Sequence, residues 1–474
     1  MEQPKNFSLQ QMHKDVHHAL KHWHTVDEKS EDILANLLLV QNNRREARTQ
    51  TPAARRLATN QVLLDGLEQL ESQQPQAAAI LKKRFHDQQT ILAVSEKLHL
   101  SVDQVKHKQR EALLELTNIL YAMEVAVRDV TITRQESQLE AKSYTQLFGI
   151  SALSDRLLGL LTSEASPWVI TLVGIGGIGK TSLAHYTICR AISSLYYEEV
   201  IWLKVTNPAR HSTPLPAPDQ TFQQLVNQLS KKLMPALPND TLPSQRLQQL
   251  QQLFKNQRYL IIVDNLELKE ETSYLLSQLL TLALPSRFLM TSRTPPAHHA
   301  GSLNITLPEL SEKDSITLLR HYADEIGFYE AASASDEELR PIYEVVGGNP
   351  FALKQLINLA KIRPLSTLLA AMRHQTLLAG EAIYHHILKE TWITLSDSAK
   401  TILTIMTLAA EGGMNPEQIL ALSGLTEAQM WPAIDELIGR SLLEVRSSTV
   451  SERFYGIHRL TELFIHSLID NDDL

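Results

Sequence analysis

The chain has 474 residues, of which 43% are hydrophobic and 21% charged, with a formal net charge of −8 and one cysteine, Cys189. At about 150 residues per domain the length predicts roughly three domains, and the composition excludes disordered and collagen-like chains. A single cysteine excludes a disulfide framework; the N-terminus lacks the apolar stretch of a leader and no long uncharged apolar run occurs, so a cytoplasmic protein without a membrane partner is expected.

Residues 9–48 read as helix, because Val16, Leu20, Trp23, Ile33, Leu34, Leu37 and Leu38 recur at three-and-four spacing. Shorter helical stretches follow from 61 to 121, divided at Gln73-Gln74-Pro75, Asp87-Gln88-Gln89 and His99-Leu100-Ser101. Residues 1–128 are therefore expected to form an all-helical domain, and the polar segment 129–145, lacking apolar periodicity, a linker. Within that domain Val94 to Val105 has the form of a helix-turn-helix: an amphipathic helix, a short turn, an N-capping Ser101, and Val105 facing the core. The segment is similar to the promoter-reading domain of sigma factors, with Ser95 in place of the usual alanine and His99 in place of the usual glycine. Lys106, His107, Lys108 and Arg110 then fall on the second helix, where contacts to duplex DNA by residues 61–121 would be made. A bundle that uses this face for protein contacts is the competing reading.

From 167 the pattern changes to short apolar runs, Trp168 to Val173, Val200 to Val205, Tyr259 to Val263 and Phe288 to Met290, which fit buried parallel strands of an α/β sheet. The insert 207–218, with four prolines, is expected to be a surface loop. After about 305 the chain reads as helical. From 398 it gives three helices and a polar hairpin, Leu442 to Ile457, the order of a winged helix. The fold class is thus multidomain α and α/β: a helical head, a P-loop α/β domain at 146–304, a helical lid at 305–378 and a winged helix at 379–474.

The strongest local signal is Gly174-Ile175-Gly176-Gly177-Ile178-Gly179-Lys180-Thr181-Ser182, a full G-x-x-x-x-G-K-T match between an expected strand and an expected helix. Glycines let backbone N–H groups approach phosphates at a helix N-terminus; Lys180 adds a cation, and the Thr181 hydroxyl can ligate Mg²⁺. Leu260-Ile261-Ile262-Val263-Asp264 is a buried strand ending in an acid, placed to hold Mg²⁺ through water. Arg293 closes a further apolar strand and can reach a γ-phosphate. Lys180, Asp264 and Arg293 are accordingly the candidate catalytic groups.

In this order the motifs resemble the STAND class of P-loop ATPases, and within it the NB-ARC type, from about 146 to 470. Leu147-Phe148-Gly149-Ile150 resembles the family's segment beside adenine, Val200 to Val205 its second strand, and Leu307-Pro308-Glu309-Leu310 its strand leading into the helical lid. Gly347-Gly348-Asn349-Pro350 is similar to the family's glycine-x-proline motif, in which the proline packs on the base. Ile457-His458-Arg459 stands where the family has Met-His-Asp, so the resemblance puts His458 on the β-phosphate of ADP. Two departures matter: Asn265 follows Asp264 where many members have a second acid, and an amide cannot act as general base; Arg459 replaces the family aspartate.

The resemblance implies an ATP/ADP switch that is a closed monomer with ADP and a homo-oligomer with ATP, hydrolysing slowly. Its leading output is transcription regulation through the head. The rival is a defence or cell-death scaffold whose head recruits a protein, and a continuously turning motor is a third reading. Family members usually carry a C-terminal repeat sensor, so the resemblance leaves three readings of this chain: a fragment, a minimal form, or half of a pair whose partner is a separate sensor protein.

Overall fold

A computed structural model describes residues 8–25, 33–46, 51–165, 167–205, 218–238, 240–266, 269–373, 385, 388–389, 391–409, 413–440, 442–445, 452–457 and 459–470. The chain divides into two units, Met1–Arg134 and Gln135–Leu474.

The first unit is helical: α1 (Leu9–Lys21), a short 3₁₀ turn, α2 (Leu38–Glu46), α3 (Pro52–Gln73), α4 (Pro75–Leu81), α5 (Ile91–Leu98) and α6 (Val102–Glu136). Its core joins Val16 and Leu20 to Leu63, Leu67 and Leu70 and to Leu116 and Leu120. Residues 9–48 are not one helix. The N–H groups of Leu38 and Leu39 donate to the two oxygens of Glu124 over 3.0 and 3.1 Å, which starts α2 afresh, and Glu124 is fully buried and paired with Arg128. The apolar spacing runs across the break because both segments bury one face in the same core.

The expected linker also starts too early, since α6 runs through 129 to Glu136. No glycine or proline interrupts residues 102–136, so helix propagation costs little per residue even where the side chains are polar. Ser101 caps α6 in a reciprocal arrangement, its hydroxyl accepting from Gln104 N–H and its own N–H donating to the Gln104 side chain. His99 adopts φ +53° in the turn before it, and Ile80, Val94 and Val105 close a small core.

In the second unit α7 (Ser151–Leu161) precedes β1 (Val169–Val173), α8 (Lys180–Ser194), β2 (Glu199–Lys204), α9 (Pro218–Leu233), α10 (Pro243–Asn256), β3 (Tyr259–Leu266), α11 (Lys269–Leu282), β4 (Arg287–Ser292) and β5 (Ser302–Thr306). The strands form one parallel sheet in the order β2-β3-β4-β1-β5. β1 and β4 are buried along their whole length, as uninterrupted apolar runs in a helix-covered sheet require. The strand expected at Leu307 to Leu310 lies one step earlier, at β5. The ladder ends where Leu307 N donates to Val173 O, and Pro308, whose nitrogen faces the free edge, is tolerated there. β5 escapes the apolar-run criterion because it is a half-exposed edge strand with polar Ser302, Asn304 and Thr306. Of the proline-rich insert, 206–217 lies outside the described residues.

The remainder is helical: α12 (Glu312–Glu325), α13 (Tyr329–Ala332), α14 (Asp336–Val346), α15 (Pro350–Ala360), α16 (Leu365–Arg373), α17 (Asp397–Met406), α18 (Pro416–Ser423) and α19 (Glu427–Gly439). An antiparallel pair, β6 (Leu443–Val445) with β7 (Tyr455–Ile457), and α20 (Arg459–Asp470) follow. One continuous core runs from Leu319 and Leu356 to Leu403, Leu437 and Ile465. The amides of Gln355 and Asn358 both donate to Arg440 O, tying α15 to the end of α19.

Candidate functional site

The glycine loop leaves β1 and turns into α8 through Gly177 at φ +74° and Gly179 at φ +99°, conformations that a side chain would strain. Lys180, the first residue of α8, curls back so that Nζ donates to Gly174 O at 2.7 Å and Ile175 O at 2.9 Å. Its ammonium thus stands over the loop.

Thr181 Oγ1 donates to Asp264 Oδ1 at 3.0 Å, joining the start of α8 to the end of β3. Pairing of β3 with β4 shifts register between Val263 and Leu266. The bulge leaves Asn265 at φ +74°, a backbone region that asparagine tolerates better than most residues. Thr291 on β4 holds both sides of the bulge: its hydroxyl donates to Asp264 Oδ1 at 2.5 Å and accepts from Asn265 N–H at 2.9 Å. Burial pushes the Asp264 carboxyl above its usual range, against the hydroxyl of Thr291, the Lys204 ammonium and the hydroxyl of Thr181, which favour the charged form. Lys204 is itself paired with Glu140 at 3.3 Å.

A cavity of about 2810 Å³ is lined by Gly176, Gly177, Ile178, Gly179, Lys180, Thr181 and Ser182 together with Asp264, Asn265 and Arg293. Phe148 and Gly149 line it from the segment before α7, and Pro350 from the first position of α15. Phe148 meets the His321 ring edge-on at 5.5 Å. Gly149 has φ +65° and faces Asp314. Gly174 does not line the cavity; its N–H is spent on Ser292 O at 3.2 Å. Arg293 N–H bonds to Leu266 O at 3.1 Å, which sets the arginine at the rim beyond β4. His458 lies outside the described residues.

The start of α15 reaches the loop through residues that the sequence reading quoted within its motifs without giving them a role of their own. Asn349 is fully buried; its Oδ1 accepts from Phe351 and Ala352 N–H, and its Nδ2 donates to Gly176 O at 2.9 Å. Gly348 N–H donates to Glu309 Oε2 at 3.0 Å, and Leu310 N–H to Gly348 O at 2.9 Å. The sequence carries a signal for Asn349, since asparagine before proline at a helix start is a preferred N-cap, but nothing in it tells what the free amide end will meet.

This donor set suits a polyphosphate with a hydrated divalent cation. Glycine N–H groups and one ammonium are donors that an anion would satisfy, and a buried carboxylate held by two hydroxyls would be stabilised by a cation.

The four basic-helix residues belong to the first unit. Lys106 pairs with Asp103 at 3.3 Å, His107 lies 3.3 Å from Glu111, Lys108 donates to Gln76 at 2.9 Å, and Arg110 is exposed.

Residues 150–325 match the NB-ARC domain model. A probable disease resistance protein of Arabidopsis thaliana, RF45, is 24% identical over 216 residues, 44% of this chain and 20% of its own length. The disease susceptibility protein LOV1 of the same plant is 24% identical over 247 residues, 48% of this chain and 26% of its own. The chain therefore spans only about a fifth to a quarter of these curated relatives. Among solved structures, a STAND protein with a tetratricopeptide repeat sensor from Pyrococcus horikoshii aligns with a TM-score of 0.44 at 17% identity, covering 70% of this chain and 44% of that one. The Aeropyrum pernix ORC2 protein aligns with a TM-score of 0.33 at 16% identity, covering 72% and 98%. Among the described residues no helix is long and apolar enough to cross a membrane.

Proposed function

We propose, from the premise that this chain carries an NB-ARC domain at residues 150–325, that it is a switch operated by exchange of ADP for ATP. The observation that carries the reading is the Thr181–Asp264 hydrogen bond at the mouth of the glycine loop, in a cavity that the lid's Pro350 also lines. Residues 176–182 would hold the nucleotide phosphates, Lys180 would neutralise them, and Thr181 and Asp264 would hold the hydrated Mg²⁺. The ion supplies charge neutralisation to the phosphates. Phe148, Gly149 and Pro350 would take the base, Arg293 would reach the outermost phosphate, and His458, by its motif, would tie the C-terminal domain to ADP. Asn265 has no basic atom to take a proton from water, which supports slow hydrolysis. The C-terminal helices with β6 and β7 act as a winged-helix clamp that holds an ADP-bound monomer and releases an ATP-bound homo-oligomer.

The test is calorimetry of ADP with the purified chain. Lys180→Ala should abolish binding, because the loop loses its only motif-supplied cation; wild-type affinity in that variant overturns the site. In size-exclusion, ATP should produce an oligomer that ADP does not.

For the output, the capped turn before α6 and the Lys106, His107, Lys108 and Arg110 face support duplex DNA binding. A second reading, recruitment of a protein partner, draws support from the pairing of those residues with Asp103, Glu111 and Gln76, which leaves less positive field for phosphates. It also accords with the disease-resistance names of the plant relatives. Fluorescence anisotropy of labelled duplexes at about 50 mM salt separates the two: salt-sensitive binding, lost on replacing the three Lys/Arg with alanine, supports the first, and its absence the second.

A further inference from the structure

The carbonyl oxygens of the glycine loop, and not only its N–H groups, have partners. Asn349 Nδ2 donates to Gly176 O at 2.9 Å, and Phe351 N–H leans on Gly177 O at 3.4 Å. Each of these carbonyls shares a rigid peptide plane with the next residue's N–H, which points the opposite way. Holding Gly176 O and Gly177 O from the lid side therefore aims the N–H groups of Gly177 and Ile178 away from the lid helix start. Glycine at both 176 and 177 leaves these planes free to rotate unless something grips them, and Gly177 stands at φ +74°. Asn349 is fully buried and absent from the cavity lining, so it grips the loop from behind. Its other end, Oδ1, accepts from Phe351 and Ala352 N–H and so fixes the start of α15.

We propose that Asn349 is a positioning residue that locks the Gly176–Gly177 peptide plane directly, and the Gly177–Ile178 plane through the Phe351 N–H whose position it caps, in the phosphate-accepting orientation, and so couples phosphate binding to docking of the lid helix. The inference rests on the nucleotide reading above and adds to it the route by which the lid senses a phosphate. A nucleotide that holds the Gly177 and Ile178 N–H groups holds the same planes from the other side, and each grip strengthens the other. An undocked lid frees the planes, and the loop loses affinity for anions.

The separating variant is Asn349→Ser in the full chain. Serine remains a good N-cap, so α15 keeps its start, but its hydroxyl is too short to reach Gly176 O. Asn349→Asp keeps shape and cap while setting an oxygen against the Gly176 carbonyl, and Asn349→Gly, an N-cap only a few tenths of a kcal/mol weaker, serves if serine impairs folding. Calorimetry should give ADP affinity about five- to tenfold weaker in Asn349→Ser, the equivalent of one lost hydrogen bond, and weaker still in Asn349→Asp. Hydrogen exchange supplies the readout that a mere cap would not move. ADP should slow exchange of the α15 amides in the wild type and leave it unchanged in Asn349→Ser, whose ADP-free exchange matches the wild type. Wild-type ADP affinity and wild-type ADP protection of α15 in Asn349→Ser overturn the proposal while the nucleotide site stands, provided Lys180→Ala abolishes binding. No ADP binding by the wild type overturns both.

Discussion

Thr291 Oγ1 donates to Asp264 Oδ1 over 2.5 Å, so a hydroxyl on β4 orients the carboxylate at the end of β3. Thr291 is also the acceptor for Asn265 N–H at 2.9 Å, and it is nearly fully buried. Thr291→Val removes the hydroxyl at constant shape, taking from Asp264 Oδ1 one of its two hydroxyl donors and from Asn265 N–H its Thr291 acceptor. The expected loss is about 1–3 kcal/mol, read by denaturant unfolding, with Thr291→Ser recovering most of it. Equal stability in the valine variant would mean that the bulge holds itself.

Asp264 ties stability to pH. Its folded carboxyl is raised above the 3.8 of the unfolded chain, chiefly by burial, so between those values the folded state binds more protons and stability falls as pH rises through the window. The cost is absent below the unfolded value and complete above the folded one. Asp264→Asn lacks this dependence, so in the nucleotide-free chain its melting temperature should gain on the wild type as pH goes from about 4 to 7.5. A difference that stays flat across that range refutes the burial argument. Mg²⁺ with ADP should stabilise the wild type and not the variant.

Asn265 already sits at φ +74°, a region that aspartate also tolerates. Asn265→Asp should therefore keep this backbone, at the cost of the 3.3 Å hydrogen bond from Asn265 Nδ2 to Val205 O, and place a general base on the cavity wall. A positioned base contributes about 10²–10⁴-fold; a phosphate-release assay should show ATP turnover at least about tenfold above wild type. No increase would place the attacking water out of reach of this residue.

Gly348 is a steric requirement of the junction between Leu310 and the start of α15. A Cβ there would stand 2.1 Å from Leu310 O and 2.6 Å from Leu310 N, both backbone atoms that cannot swing away. Gly348→Ala should break the Leu310–Gly348 pairing and cost about 3 kcal/mol. Hydrogen exchange should quicken over 348–360 and stay unchanged in the buried β1 and β3, which separates local undocking from global loss.

The α/β sheet was legible because each of its buried strands is a short apolar run, which only a doubly covered strand needs. The glycine loop and Asp264 were legible because phosphate and cation chemistry demand those residue types in that order. Less legible was whatever depended on a distant partner. The break between α1 and α2 was hidden because Glu124, which restarts the helix at Leu38, is 86 residues away and looks like any surface acid. The continuation of α6 through 129–136 was missed because a solvated helix needs no apolar stripe, only the absence of a breaker.

The sequence by itself determined that the glycine loop lies between a buried strand and a helix, and that an acid ends a second buried strand. These depend on local backbone preferences and on hydrophobic periodicity, both of which act over a few residues. Tertiary structure alone decided that β4 inserts between β1 and β3 and so brings Thr291 to Asp264. It also decided that the amide of Asn349 meets a loop carbonyl 173 residues earlier in the chain. Such contacts are set by which surfaces pack together, and a side chain able both to donate and to accept carries no mark of the partner it will find.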